Sequence, residues 1–317
     1  ARFWNAGHIL GSASIEVEIE TGDEKQRFMR LLFSGDIGPD HKLFHPDPDA
    51  PSNLDYVICE ATYGARKRPV LKPDARRAVL AGVVREAMGR GGVLVIPAFS
   101  VERTQELLAD LSLLMKKGEI EERIVFLDSP LAIKATEVFE SHAEDLEDLG
   151  LNGELFQNTA FHFTRTVEES KAINHYENGV IIIAASGMCE AGRILHHLRY
   201  RIHDNRTLLL LVGYMAEHTL GRRLEDLADH HNGEGRGLVK ILGKEYPVKA
   251  RIEKIDGFSA HGDRNDLLRY LKEGGLRPKR IALVHGEEAQ SQAFADTLRG
   301  LGHTVVVPRR GESLNLD

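Results

Sequence analysis

Two regimes of hydrophobic patterning alternate along the chain. Near the start, Ser14-Ile15-Glu16-Val17-Glu18-Ile19-Glu20 puts apolar side chains at every second position, the period of a half-buried strand. Thr21-Gly22-Asp23 turns the chain, and Arg30-Leu31-Leu32-Phe33 returns it as a hairpin partner. A third strand is expected over residues 54–59, after the Pro-rich loop 45–51.

After Pro73 the period changes. Helices are expected over 74–89, 101–117, from 132, over 191–200 and over 220–228. Between them lie short, wholly apolar runs at 93–97, 124–127, 180–185 and 207–212, while 145–179 reads as polar and irregular. Strands without a polar side, alternating with helices, describe a parallel sheet covered on both faces. Ligands bind such sheets at the carboxyl ends of the strands, which marks Phe99 to Arg103, Asp128-Ser129-Pro130 and Ser186-Gly187-Met188 as a binding rim. From about Leu238 the pattern is β-rich again, with alternation over 247–255, and it closes with helices at 264–272 and 288–301 and strands at 280–284 and 304–307. The expected organisation is one domain inserted into another: 1–70, then an insert over 71–245, then a return segment over 246–317.

Composition changes this picture little. The 317 residues are 42% hydrophobic and 28% charged, as in an ordinary globular protein. No apolar run approaches the ~18 residues of a membrane span, and no basic-then-apolar leader opens the chain. Two cysteines, Cys59 and Cys189, are too few for a disulfide framework, and a reducing cytoplasm is expected. The net charge of −7 argues against coating nucleic acid by bulk attraction, so a phosphate-bearing substrate would need a focused cleft. For the basic clusters at 66–68, 199–206 and 277–280 a solvated face is the commoner explanation.

Five Gly-flanked segments place a ligand or acid–base side chain at a strand end or turn. They are Gly7-His8-Ile9-Leu10-Gly11-Ser12, Ser34-Gly35-Asp36-Ile37-Gly38, Cys59-Glu60-Ala61-Thr62-Tyr63-Gly64, Phe258-Ser259-Ala260-His261-Gly262-Asp263 and Val284-His285-Gly286-Glu287. Histidine and aspartate without cysteine suit a hydrolytic zinc or manganese better than a closed structural site. Taken singly, each has a plainer reading: a satisfied turn histidine, an Asx turn at Asp36, an ion pair from Glu60 to Arg66. Of the adjacent histidines, 230–231 reads as surface and 196–197 is left open.

Together, and in this order, the five resemble the later motifs of metallo-β-lactamase-fold nucleases carrying an inserted β-CASP domain. The nearest likeness is to the RNA-specific group that includes the pre-mRNA 3′-end cleavage endonuclease and its bacterial relatives. Pro97 to Arg103, Leu127-Asp128-Ser129-Pro130 and Ala185-Ser186-Gly187-Met188 also look like the insert's recurring loops, so the resemblance spans the whole chain. It implies an αββα sandwich, its N-terminal part absent, with an inserted parallel α/β β-CASP domain. It further implies metal-dependent, endonucleolytic hydrolysis of RNA by a hydroxide shared between two divalent ions, zinc by ligand type. His8 and His285 would each bind one ion and Asp36 would bridge them. His261 would protonate the leaving oxygen and Glu60 would orient it. Ser186, the backbone of Gly187 and Met188, and Arg193 would hold phosphates as the insert clamps RNA in the cleft between domains, while Arg193, on a helix, reads equally well as a plain surface cation.

One departure stands out. The family's first metal motif, His-x-His-x-Asp-His, is absent, and no two histidines here are separated by one residue. The expectation is that this motif lies in a preceding segment of the same gene product, which becomes a required partner of these residues. Alone, the 317 residues would then be catalytically silent and poorly metallated. Two other readings remain: an RNA-binding pseudo-nuclease or scaffold, and a hydrolase of small esters or thioesters, against which the large insert speaks. A homodimer is admitted but not specified by the sequence.

Overall fold

In the computed structural model, residues 1–22, 27–44, 46–68, 72–142, 156–230, 237–273 and 277–316 are described. The chain opens with strands β1 (Arg2–Asn5), β2 (Ala13–Glu20), β3 (Phe28–Phe33) and β4 (Tyr56–Glu60). An alternating run follows: α1 (Pro73–Gly89), β5 (Leu94–Pro97), α2 (Arg103–Lys116), β6 (Val125–Asp128), α3 (Pro130–Ser141), β7 (Phe161–Phe163) and α4 (Val167–Ala172). It continues through β8 (Ile181–Ala184), α5 (Ile194–Arg201), β9 (Leu208–Leu211) and α6 (Leu220–His230). Strands β10 (Gly237–Ile241), β11 (Lys244–Val248) and β12 (Arg251–Lys254) lead to α7 (Arg264–Glu273), β13 (Arg280–Val284), α8 (Glu288–Gly300) and β14 (Val305–Val306). Two compact units result, Ala1–Pro69 with Ala260–Asp317, and Val70–Ser259.

The first unit holds a six-stranded sheet in the order β1-β2-β3-β4-β13-β14, antiparallel from β1 to β3 and parallel thereafter. Leu32, Val57, Cys59, Ile281 and Leu283 pack with Leu267 and Tyr270 of α7 and Phe294 and Leu298 of α8 to form its core. The alternation of β2 does mark two unlike faces, but the buried one is polar. Ser14 and Glu16 are sealed, Glu16 receiving Arg30 Nε at 2.6 Å and Trp4 Nε1 at 2.9 Å. The opposite face presents a cross-strand row of Phe3, Ile15 and Phe33, which are 73%, 37% and 44% exposed. A second layer is what such a face is built to meet in a sandwich.

The second unit is a parallel six-stranded sheet, β12-β9-β5-β8-β6-β7, with β10 and β11 forming a separate hairpin. Strands β5, β6, β8 and β9 are buried at every position, as their uninterrupted apolar runs require. The stretch read as irregular does carry regular elements: β7 pairs with β6, and α4 begins with a Thr166–Glu169 capping box. Residues 143–155 lie outside the described part, as do His45 and His231. Strand β12 adds to the sheet beside β9, so residues up to Ser259 pack with this unit rather than with the return segment expected from 246. Both cysteines are buried free thiols, and burial raises their pKa values well above the usual thiol range. Among the described residues no helix is long and apolar enough to cross a membrane.

Candidate metal and catalytic centre

In the first unit, the turns after β1 and β3, those at the ends of β4 and β13, and the turn before α7 carry the polar side chains singled out above. His8 sits in the turn after β1, where Ser12 Oγ accepts the His8 and Ile9 N–H groups at 3.1 and 3.2 Å. Asp36 follows β3 after Gly35, whose φ is +56°. The two turns meet through Gly38, which donates its N–H to Ala6 O at 2.8 Å. A Cβ on Gly38 would lie 1.6 Å from Gly7 O, so no side chain fits. Gly38→Ala is therefore expected to destabilise the protein by about 1–3 kcal/mol and to part His8 from Asp36. A lowered urea midpoint together with reduced metal uptake would show this; an unchanged midpoint would refute the close approach.

The arrangement closes around Asp36. His8 Nε2 lies 3.8 Å from Asp36 Oδ2, and His285 Nδ1 lies 3.1 Å from Asp36 Oδ1, so the two carboxylate oxygens face two different imidazoles. His8 and His261 ring centres are 4.5 Å apart, and those of His261 and His285 are 5.7 Å apart. His8 is held down to a pKa of about 4, first by burial and then by the charge of His261, with Asp36 opposing. At neutral pH it is thus already the neutral imidazole a cation requires.

Glu60, 1% exposed at the end of β4, grips the fourth group. Its two oxygens each lie 3.2 Å from His261 Nδ1. They also accept the N–H of Ile37 at 2.6 Å and of Thr62 at 3.3 Å, so the carboxylate is fixed independently of the histidine. The His261 carbonyl accepts from Arg68, whose guanidinium lies 4.5 Å over the Tyr63 ring, and that ring stands edge-on to His261 at 6.4 Å.

Sequence reasoning named all five of these residues but missed what holds them. Thr62 donates to His285 O at 3.1 Å and lies 3.3 Å from its Nδ1. Ser34 Oγ accepts the Glu60 N–H at 3.1 Å. Tyr270 donates to Ser14 Oγ at 3.0 Å, and Ser14 donates to Ser34 O at 2.7 Å, tying α7 to the turn that carries Asp36. Thr62 and Ser34 lay inside segments the sequence had flagged, whereas Ser14 and Tyr270 did not.

Adjacent ligands on a tetrahedral zinc with bonds of about 2.0–2.2 Å stand roughly 3.3 Å apart. The 3.1 and 3.8 Å separations about Asp36 fit that spacing, and His8–Asp36–His261 and Glu60–His261–His285 each have donor atoms within 4.8 Å of one another. The described residues therefore suit a divalent cation in donor chemistry and spacing.

In the second unit, Ser186 to Ala191 form a closed turn after β8. Ser186 N–H donates to Ala191 O at 2.9 Å, and Ser186 Oγ accepts the N–H groups of Glu190 and Ala191 at 3.3 and 3.2 Å. Gly187 and Met188 lie within this turn, and Arg193 stands where α5 begins. Arg193 Nη1 reaches Asp128 Oδ1 at 2.7 Å and Thr164 O at 3.1 Å, and its Nη2 reaches Arg165 O at 3.1 Å. The histidine pair left open divides: His196 is exposed, and His197 is buried with Nε2 2.6 Å from Asp128 Oδ2.

Two family models match the chain, the first inside the second unit and the second running across the Ser259–Ala260 boundary. Residues 104–224 match the Beta-Casp domain, and 245–308 match the Zn-dependent metallo-hydrolase RNA specificity domain, a family defined by divalent-metal use. The ribonuclease TTHA0252 of Thermus thermophilus is 31% identical over 98% of this chain and 68% of its own length. An RNase J-like protein of Methanocaldococcus jannaschii is 34% identical over 99% of the chain and 70% of its own length. Transcription termination factor FttA of Methanosarcina mazei is 33% identical over 90% of the chain and 45% of its own length. With its metallo-β-lactamase fold, its β-CASP insert and its RNA specificity domain, this chain belongs to the RNA-specific β-CASP group of metallo-β-lactamase-fold nucleases.

Proposed function

We propose that the protein cuts RNA phosphodiester bonds internally, with His261 as general acid and two divalent ions, zinc by donor chemistry, shared through Asp36. The observation that carries this reading is the double grip of Glu60 on His261 Nδ1, beside a carboxylate whose two oxygens face two other histidines. When bound, a divalent pair lowers the pKa of its water toward ~7 and offsets charge on the phosphoryl oxygens.

The protein's own groups do the rest. His8, neutral at working pH, and His285 present nitrogens to either side of the Asp36 carboxylate. Glu60 holds His261 by Nδ1, which leaves Nε2 to give a proton to the departing ribose oxygen. Ser186, Gly187, Met188 and Arg193 are the groups assigned to phosphate, with Arg193 shared between that task and Asp128. The test is cleavage of a synthetic single-stranded RNA by the intact gene product with and without chelator. Chelator should abolish cleavage and zinc restore it. Cleavage that ignores chelator would overturn the reading, and binding without any cleavage would favour the scaffold alternative.

A further inference from the structure

Phe99 is an exposed aromatic residue in a place where exposure serves no packing purpose. It lies at the carboxyl end of β5, is 42% exposed, and is fixed by its backbone rather than by a core. Thr104 binds its carbonyl twice, through Oγ1 at 2.8 Å and N–H at 3.3 Å, while the neighbouring Ala98 N–H reaches Ala184 O at 3.0 Å. One part of the ring rests on Gly187: a Cβ there would stand 2.7 Å from Phe99 Cδ2 and 3.0 Å from its backbone nitrogen. The glycine of the Ser186–Met188 turn thus makes room for this ring.

The surroundings define what the open part of the ring can receive. Ser186 Oγ already accepts two backbone N–H groups, and its own hydrogen meets no acceptor among the described residues. Ser100 Oγ and Ser129 Oγ lie 3.3 Å apart, joining the Phe99 loop to the start of α3, where Leu131 is 62% exposed. An anchored ring beside a polar turn is far smaller than the ~800 Å² per partner of a stable protein contact. It matches the pairing of a π-face with a backbone-binding groove by which single-stranded nucleic acid is held.

We propose that Phe99 is the stacking platform for one base of single-stranded RNA whose adjoining phosphate is held at the Ser186–Met188 turn. This rests on the ribonuclease reading and adds a base-contacting residue to it. Stacking on one face tolerates any base, so Phe99 contributes affinity and register without sequence preference.

The experiment measures binding of an end-labelled single-stranded oligoribonucleotide by anisotropy, using the chelator-treated intact gene product. Phe99→Ala should weaken binding about 5- to 100-fold, and Phe99→Trp should match or exceed wild type. The slope of log affinity against log salt should stay the same, because no phosphate contact is removed. Phe99→Leu, which keeps apolar packing on Gly187 but lacks the π-face, should behave like Phe99→Ala. The deciding arm walks a single abasic site along the oligonucleotide. At one position wild type should fall to the affinity of Phe99→Ala, and there the substitution should have no further effect. RNA binding unchanged in Phe99→Ala overturns the proposal, as does an equal loss at every abasic position, which would make Phe99 a prop for the turn. A wild type that binds no RNA overturns the ribonuclease reading and this one with it.

Discussion

His261→Ala is expected to slow RNA cleavage by the intact gene product about 10²- to 10⁴-fold while leaving its metal content nearly unchanged. The geometry makes this a decision between two roles. His261 lies within ligand spacing of both donor groups, with His8 and Asp36 on one side and Glu60 and His285 on the other. What separates it from the ligands is Glu60. A carboxylate with both oxygens 3.2 Å from Nδ1, itself pinned by the N–H groups of Ile37 and Thr62, orients an imidazole for proton transfer. If that is its task, the alanine variant retains metal and loses the limb of the pH–rate profile that reports the acid. Loss of metal in proportion to activity would instead make His261 a ligand and leave the reaction without an assigned acid. Glu60→Gln sharpens the choice: it keeps the volume and one acceptor oxygen, so it should lower turnover with metal retained.

The parts of this centre that could be read in the sequence share a physical signature. All five sit at strand ends or in turns, and His8, Asp36, His261 and His285 stand directly beside a glycine, where backbone and a polar group can approach closely. Gly38, with no room for a Cβ against Gly7 O, shows why the glycines are needed. What holds these residues was not legible. Tyr270 and Ser14 are 256 residues apart in sequence and meet through one hydroxyl bond, which no local pattern encodes. The alternation of β2 gave two faces but not which is inside. That choice is made by Arg30, Trp4 and Tyr270, which satisfy Glu16 and Ser14 in the interior. Strand β7 is three residues long, too short for a period, and α4, which opens on a Thr166–Glu169 capping box, runs for only six. Strand β12 looked like its β-rich neighbours, and its allegiance to β9 is set by tertiary pairing alone.

The largest stability effect is expected at Asp128, a residue read from sequence only as part of a loop. Its carboxylate is fully buried at the end of β6 and accepts four donors. Oδ1 takes Thr164 Oγ1 at 2.5 Å and Arg193 Nη1 at 2.7 Å, and Oδ2 takes Ser170 Oγ and His197 Nε2, both at 2.6 Å. Those donors come from three separate places in the chain, so one carboxylate joins β6 to α4, to α5 and to the segment between β7 and α4. Asp128→Ala removes the acceptor and leaves a buried histidine and a largely buried guanidinium without it, a loss of about 3–5 kcal/mol. The pH dependence follows from the same bonds. Burial alone would raise the Asp128 pKa, but the hydrogen bonds from His197, Ser170, Thr164 and Arg193 outweigh it and hold the value at about 2. The folded form therefore binds its proton later than the unfolded chain, whose aspartates titrate near ~3.9. The stabilisation is complete above that value and drains away as the pH falls toward 2. Urea unfolding of wild type and Asp128→Ala should accordingly show a wide gap at pH 7 and pH 5 that narrows between about pH 4 and pH 2. A gap that held constant through that window would mean the carboxylate is not the charged hub these bonds describe.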